Sequence, residues 1–275
     1  MSRNTVRSRL GRRGAGYVAA FLAGAVLFGA LGVALGAGGL RLTSNSDGTP
    51  IYSVKPTGVG LPLVGAHGTV GAGDYAPELK SYHDSGAYKK DLIRVDSQAQ
   101  AYLADRLKVR HKRCKGRPSS ARGCKKPALV LDIDETSLSN YANIAKTNFT
   151  NVVAGLATGV AKADDPPIRP TLELYEFAQR KHVAIFFITG RPSTIPVVQE
   201  RTEENLKAAG YKKWAGLSLN PGEMDTVPYK SGERAKIQKA GYRILVNVGD
   251  QESDLQGGHA QRAFKLPNPY YFIGP

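Results

Sequence analysis

Three apolar runs constrain this chain most: Ala128-Leu129-Val130-Leu131, Val183-Ala184-Ile185-Phe186-Phe187-Ile188 and Ile244-Leu245-Val246-Asn247-Val248. Helical stretches separate them, at 171–181, at 196–209 before Gly210 and at 231–240 before Gly241, with a short strand expected at 216–219. Ahead of them, Tyr88, Leu92, Val95, Ala99, Tyr102, Leu103 and Leu107 recur at steps of four and three, which marks an amphipathic helix. Apolar strands alternating with helices predict an α/β fold, a Rossmann-like parallel sheet flanked by helices on both faces. Ligands of such sheets sit at the carboxyl ends of the strands, so the residues just after each run are the ones to read for chemistry.

The first run ends in Asp132-Ile133-Asp134-Glu135-Thr136 and the last in Gly249-Asp250-Gln251-Glu252-Ser253-Asp254. A calcium loop of the EF-hand type needs Gly at its sixth position and Glu at its twelfth, but Ser137 and Asn143 stand there. The middle run ends in Thr189-Gly190-Arg191-Pro192, a hydroxyl and free backbone N–H groups near a helix start, suited to an anion. Lys230, in Tyr229-Lys230-Ser231, offers an ammonium ahead of the next helix. Acids at two strand ends, with a Thr and a Lys at the others, suit a hard divalent cation such as Mg²⁺ facing a phosphate.

These strings, in this order, resemble the haloacid dehalogenase superfamily of phosphohydrolases. Asp132 to Tyr141, Tyr229-Lys230-Ser231, Gly249 to Leu255 and Phe264-Lys265-Leu266-Pro267-Asn268-Pro269 narrow the resemblance to the class B acid phosphatases, particularly the branch with plant vegetative storage proteins. It covers about residues 75–275, including the lead-in Tyr82 to Tyr88. The resemblance implies an acid phosphatase hydrolysing phosphate monoesters through an aspartyl-phosphate intermediate. It implies Asp132 as nucleophile and Asp134 as the acid and base, a role calling for a raised pKa. Thr189, Gly190 and Lys230 would hold the phosphate, and Mg²⁺ would take the Asp132 carboxylate, the Asp134 backbone carbonyl and Asp250. Asp254 would orient the metal's water shell or Lys230. Residues 137–170 would form a small cap insertion, where Tyr141 or Phe149 would either stack on a leaving group or pack in the core. Gln251 and Glu252 depart from the superfamily pattern and receive no role.

Outside the resemblance, residues 1–13 carry five arginines and no acid, and the 27 residues from Gly14 to Leu40 carry no charge. A helix of that length exceeds the roughly 30 Å hydrocarbon core of a bilayer. The segment 14–40 therefore reads as a transmembrane anchor or a secretory signal, with residues 1–13 on the cytoplasmic side and the rest outside, either anchored or secreted. Residues 41–74, rich in Gly and Pro, read as a flexible linker to a domain at 75–275.

The chain has two cysteines in 275 residues, too few for a disulfide scaffold or a four-cysteine zinc site. Outside the cytoplasm, Cys114 and Cys124 read best as a disulfide closing a hairpin, the other reading being two unpaired thiols. Ten Lys or Arg residues fall between Arg106 and Lys126, and the formal net charge is +15. That stretch reads first as a solvated basic loop, the other reading being contact with an anionic surface. It has neither interleaved aromatics nor a helix-turn-helix pattern, so no specific nucleic-acid partner is expected. The partners expected are a small phosphate monoester and, through the N-terminal helix, a membrane. Two alternatives stand beside hydrolysis: phosphotransfer through the same intermediate, and a non-catalytic anchored binding or storage protein.

Overall fold

The computed structural model describes residues 40–61, 72–121, 123–222 and 224–273. In chain order the elements are β1 (Leu40–Ser44), β2 (Pro50–Val54), α1 (Ala76–Asp84), α2 (Ala87–Cys114), β3 (Lys126–Leu131), α3 (Tyr141–Ile144), α4 (Val152–Lys162), α5 (Arg169–Arg180), β4 (Ala184–Pro192), α6 (Pro196–Ala208), β5 (Gly216–Asn220), α7 (Thr226–Lys239), β6 (Tyr242–Gly249) and β7 (Arg262–Lys265). The strands form one sheet in the order β1-β2-β7-β6-β3-β4-β5, parallel except for β1.

Side chains alternate across a strand, and both faces here are buried. In β3, Leu129 and Leu131 enter a core shared with α2 and α5, whereas Ala128 and Val130 enter a second core with Tyr229 and Ile237 of α7. Each fully buried leucine contributes roughly 2–3 kcal/mol of hydrophobic stabilisation. The predicted α/β sheet with helices on both faces is therefore present, and the strand and helix bounds differ from expectation mainly at their ends.

Those end differences matter. β4 continues to Pro192, so Thr189, Gly190 and Arg191 lie within the strand rather than after it. α7 starts at Thr226, so Lys230 sits in its second turn and not ahead of it. The larger correction concerns residues 41–74, expected to form a flexible linker. Pro50–Val54 pairs with β7, and Leu40–Ser44 pairs with it in turn, extending the sheet by two strands. Ile51, Tyr52 and Val54 supply enough buried apolar surface to dock residues 40–54, while residues 62–71 of the expected linker lie outside the described residues. The segment 14–40 lies outside the described residues apart from Leu40, which opens β1. No helix among the described residues is long and apolar enough to cross a membrane.

The cap insertion contains α3 and α4. Asn151 caps α4 by accepting from Ala154 N–H at 3.1 Å. Gly159 allows the helix to approach the acidic loop, since a Cβ there would lie 2.1 Å from Asp165 Oδ2. The cap aromatics pack together: Phe149 is fully buried and stacks on Tyr270 at 5.5 Å, and the Tyr141 ring is covered by His83 at 3.5 Å. Of the two roles open to Tyr141 and Phe149, core packing is the one this arrangement supports.

One buried acid lies away from the strand ends. Asp96 of α2 accepts from Thr171 Oγ1 at 3.0 Å, and its other oxygen has no partner among the described residues. Burial, with added repulsion from Glu173, pushes its carboxyl up to about 7. A carboxyl raised on folding stabilises the fold fully below its unfolded value near 4, and that contribution fades as pH climbs to about 7. Its loss is worth on the order of 4 kcal/mol. Thermal unfolding followed from pH 4 to 8 should therefore show Tm falling with pH, and Asp96→Asn should flatten that fall and raise Tm by several degrees at pH 8. Parallel profiles for the two proteins would remove Asp96 as the cause.

Candidate active site

Asp132 leaves β3 at the carboxyl end of the sheet, and the turn that follows is tightly tied. The N–H groups of Ser137 and Leu138 both donate to Ile133 O at 2.8 Å, and Ser137 Oγ donates to Asp132 O at 2.6 Å. Glu135 adopts a left-handed backbone (φ 48°) and turns its side chain inward. There it accepts from Asn140 N–H at 2.5 Å and from the Tyr88 hydroxyl at 3.1 Å. Burial, followed by repulsion from Asp250, pushes Glu135 up to about 8, and both of its oxygens accept hydrogen bonds that hold the loop. The lead-in helix thus reaches the loop through Tyr88.

Lys230 is the centre of charge. Its ammonium donates to Asp132 Oδ1 at 2.5 Å and to Asp254 Oδ1 at 2.6 Å, and it is almost wholly buried. Burial alone would lower its pKa, but the two carboxylates outweigh burial and hold it above the ordinary lysine value. Asp132 is itself held well above the usual carboxylate range, first by burial and then by Asp254, Asp250 and Asp134, which together overcome Lys230.

Asp250 follows β6, and donors surround it. Thr136 Oγ1 donates to Oδ1 at 3.0 Å, while Gln251 Nε2 and Asn268 Nδ2 donate to Oδ2 at 2.6 and 2.7 Å. Gln251, to which no role was expected, therefore orients an acid of the site. Its own carbonyl accepts from Ile273 N–H at 3.1 Å, which ties the C-terminal strap to the site. Burial and Asp254 still push Asp250 up to about 6. Gly249 makes this packing feasible, because a Cβ there would fall 2.4 Å from the Asp254 side chain.

Carboxylate oxygens of Asp132, Asp250 and Asp254 all lie within 4.8 Å of one another. Buried oxygen donors whose repulsion raises Asp132 and Asp250, with Lys230 bonded between Asp132 and Asp254 and Lys265 Nζ on the Asp250 backbone carbonyl at 2.8 Å, are the ligand set that a hard divalent cation prefers. Asp254, expected to stand behind the ligands, contributes its carboxylate to this cluster, whereas the Asp134 carboxylate is not part of it.

Asp134 instead meets Arg191. Arg191 Nη2 donates to Asp134 Oδ1 at 2.7 Å and Nε to Oδ2 at 3.1 Å, and Asn140 Nδ2 adds a third bond at 2.9 Å. Burial would raise this carboxyl, but the guanidinium outweighs it and holds Asp134 below the ordinary range. The raised pKa expected from Asp132 and Asp250 is therefore not found. A bidentate cation from β4, helped by Asn140 and Lys230, overrides the effect of burial. Thr189 is buried and its Oγ1 accepts from Arg191 N–H at 3.2 Å, while Gly190 is exposed with open space where a Cβ would stand.

The structure thus gathers Asp132, Lys230, Asp250 and Asp254 into one cluster and sets Asp134 beside it on Arg191. Sequence reasoning assigned no role to Arg191, Asn140, Thr136, Gln251 or Asn268. Each lies inside or next to a string that had been singled out, so nearness to the acids was the available signal. The two cysteines form a disulfide with a Cα separation of 5.6 Å, far from these residues at the other end of the sheet.

A family model described as the HAD superfamily, subfamily IIIB (acid phosphatase), matches residues 69–274. The stem 28 kDa glycoprotein of Glycine max is 35% identical over 70% of this chain and 73% of its own length. Acid phosphatase 1 of Solanum lycopersicum is 30% identical over 72% of this chain and 74% of its own length. Among solved structures, a class C acid phosphatase from Bacillus anthracis superposes with a TM-score of 0.54 at 20% identity, covering 73% of this chain and 87% of that one, which shows a shared fold. With the acids at the strand ends and the match over most of its length, the chain belongs to the haloacid dehalogenase superfamily, subfamily IIIB, the acid phosphatases.

Proposed function

We propose that this phosphoric monoester hydrolase works outside the cytoplasm, with Mg²⁺ in its carboxylate cluster and Asp132 as the nucleophile that forms an aspartyl phosphate. The observation that carries this reading is the Asp132 carboxylate, held at the end of β3 with one oxygen on Lys230. Its other oxygen is the one left for attack on phosphorus, along the line of the departing ester oxygen. Lys230, Thr189 and the Gly190 N–H would grip the phosphoryl oxygens, and Mg²⁺ bound to Asp132 and Asp250 would offset their negative charge.

The P–O ester bond breaks as the Asp132–phosphorus bond forms, and the leaving alcohol takes a proton from Asp134. In the second half Asp134 accepts a proton from water, the water oxygen bonds to phosphorus, and Asp132 is released with inorganic phosphate. Arg191 suits Asp134 to that second half, in which it must start as a carboxylate. A negative phosphoryl group arriving beside Arg191 weakens its hold and raises Asp134 toward the protonated form needed in the first half. The disulfide, which persists in oxidising compartments, and the basic-then-apolar N-terminus support a site outside the cytoplasm.

The decisive assay uses the full chain and a generic aryl phosphate, with Mg²⁺ or with EDTA. Phosphate release should need the metal, and Asp132→Asn should lower kcat at least about a thousandfold while Tm stays within a few degrees. Turnover near normal in the variant would remove Asp132 as nucleophile, and indifference to EDTA would remove the metal.

A second variant addresses the clamp. Arg191→Gln should lower kcat by about ten- to a hundredfold, because Asp134 loses two of its three orienting bonds. Arg191→Lys should recover only part, since an ammonium restores charge but not the fork. Full recovery by lysine would show that charge alone matters.

A further inference from the structure

The basic stretch 106–126 takes no part in this chemistry, and the fold gives it a definite place. Lys126 opens β3, Arg243 lies at the start of β6 and Arg262 opens β7, so these cations gather at the amino ends of the strands. Asp132 and Asp250 lie at the opposite ends, about 20 Å away across a six-residue strand. The disulfide closes the loop between α2 and β3. Arg110 ties the two together, with Nε donating to Lys125 O and Nη2 to Cys124 O, both at 3.1 Å.

No acid occurs from Arg106 to Leu131. Among the described residues, only Lys108 of this stretch pairs with a carboxylate, the exposed Asp105 at 3.3 Å. Arg106, Arg110, Arg113, Lys125 and Arg243 line one depression of about 20 Å³, which holds no acid and has room for about one oxygen atom. Five cations converging without a counter-charge repel one another, and an anion seated among them would relieve that repulsion.

We propose that this face docks a linear polymer of phosphate groups, at a site separate from the catalytic one and independent of its mechanism. The Arg110 fork is engaged by the backbone and Arg106 Nε by Gln261 Oε1 at 3.1 Å. The forks of Arg113 and Arg243 are therefore the ones that match phosphate oxygens in pairs, and the depression takes a single oxygen from the chain that crosses it. Two aromatic rings of this face are already covered: Arg262 lies over Tyr102 at 4.4 Å and Lys126 over Tyr242 at 5.9 Å. Tyr102 and Tyr242 are therefore poor platforms for nucleobases, and within 106–126 the exposed imidazole of His111 is the one ring left. A bilayer surface fits less well. From Arg106 to Lys126, Val109 is the only large apolar residue exposed among the described residues, whereas helices that lie in a membrane interface present a broad apolar face.

The test titrates the full chain into labelled linear inorganic polyphosphate in EDTA, by anisotropy, at rising NaCl. Lys112, Arg113 and Arg117 are exposed and make no side-chain hydrogen bond among the described residues. Reversing all three (Lys112→Glu, Arg113→Glu, Arg117→Glu) should weaken binding at least tenfold. It should also reduce the slope of log affinity against log salt by about two, the value for three released phosphate contacts on a single strand. Hydrolysis of a small aryl phosphate should be unchanged in the same protein, which also shows that it has folded. Reversal of the exposed Lys89, Lys90 and Lys162 to Glu should leave polyphosphate affinity within about twofold. Equal losses in the two triple variants, or equal affinity for poly-glutamate, would reduce the effect to net charge and overturn the proposal. Tighter binding of single-stranded DNA, or capture by anionic vesicles without capture by polyphosphate, would overturn it in favour of those partners.

Discussion

A lysine ammonium buried between two aspartates is the interaction on which the rest of the structure turns. Lys230 can stay charged inside the protein only because Asp132 and Asp254 meet it at 2.5 and 2.6 Å. Those acids in turn can be buried only because three chain segments, from β3, α7 and the loop after β6, arrive at one point. A parallel sheet brings this about: every strand ends on the same side, so loops far apart in sequence converge there. Removing both carboxylates from such a group would leave an uncompensated buried charge, which costs several kcal/mol.

Around this centre the protein divides its acids by environment. Asp250 is wrapped by three neutral donors and still lifted by burial and by Asp254. Asp134 is drawn down by the fork of Arg191. Glu135, next to it in sequence, is buried against Tyr88 and raised. Three neighbouring carboxyls of like chemistry therefore carry different proton affinities, set by which donor faces each one.

Much of this was legible in the residues. The apolar runs identified the strands, and the acids after them marked the site, because a parallel sheet leaves its strand ends as the one place where buried polar groups can face a ligand. Less visible were contacts between residues distant in sequence. Arg191 and Asp134 are 57 positions apart, and Asn268 reaches Asp250 across 18. Nor did composition reveal β1 and β2, since glycine and proline hid three well-placed apolar residues that cover the edge of β7.

The sequence by itself determined the fold class, the end of the sheet that carries chemistry, and the residue types that meet there, because periodicity and strand-end position follow from local chain geometry. Only the tertiary structure decided which carboxylate pairs with which cation, and so which is held low and which is raised. Proton affinity depends on distances of a few ångströms between side chains that the chain order leaves far apart. The same holds for the basic face: the sequence supplied its charges, and the sheet decided that they stand at the end opposite the acids.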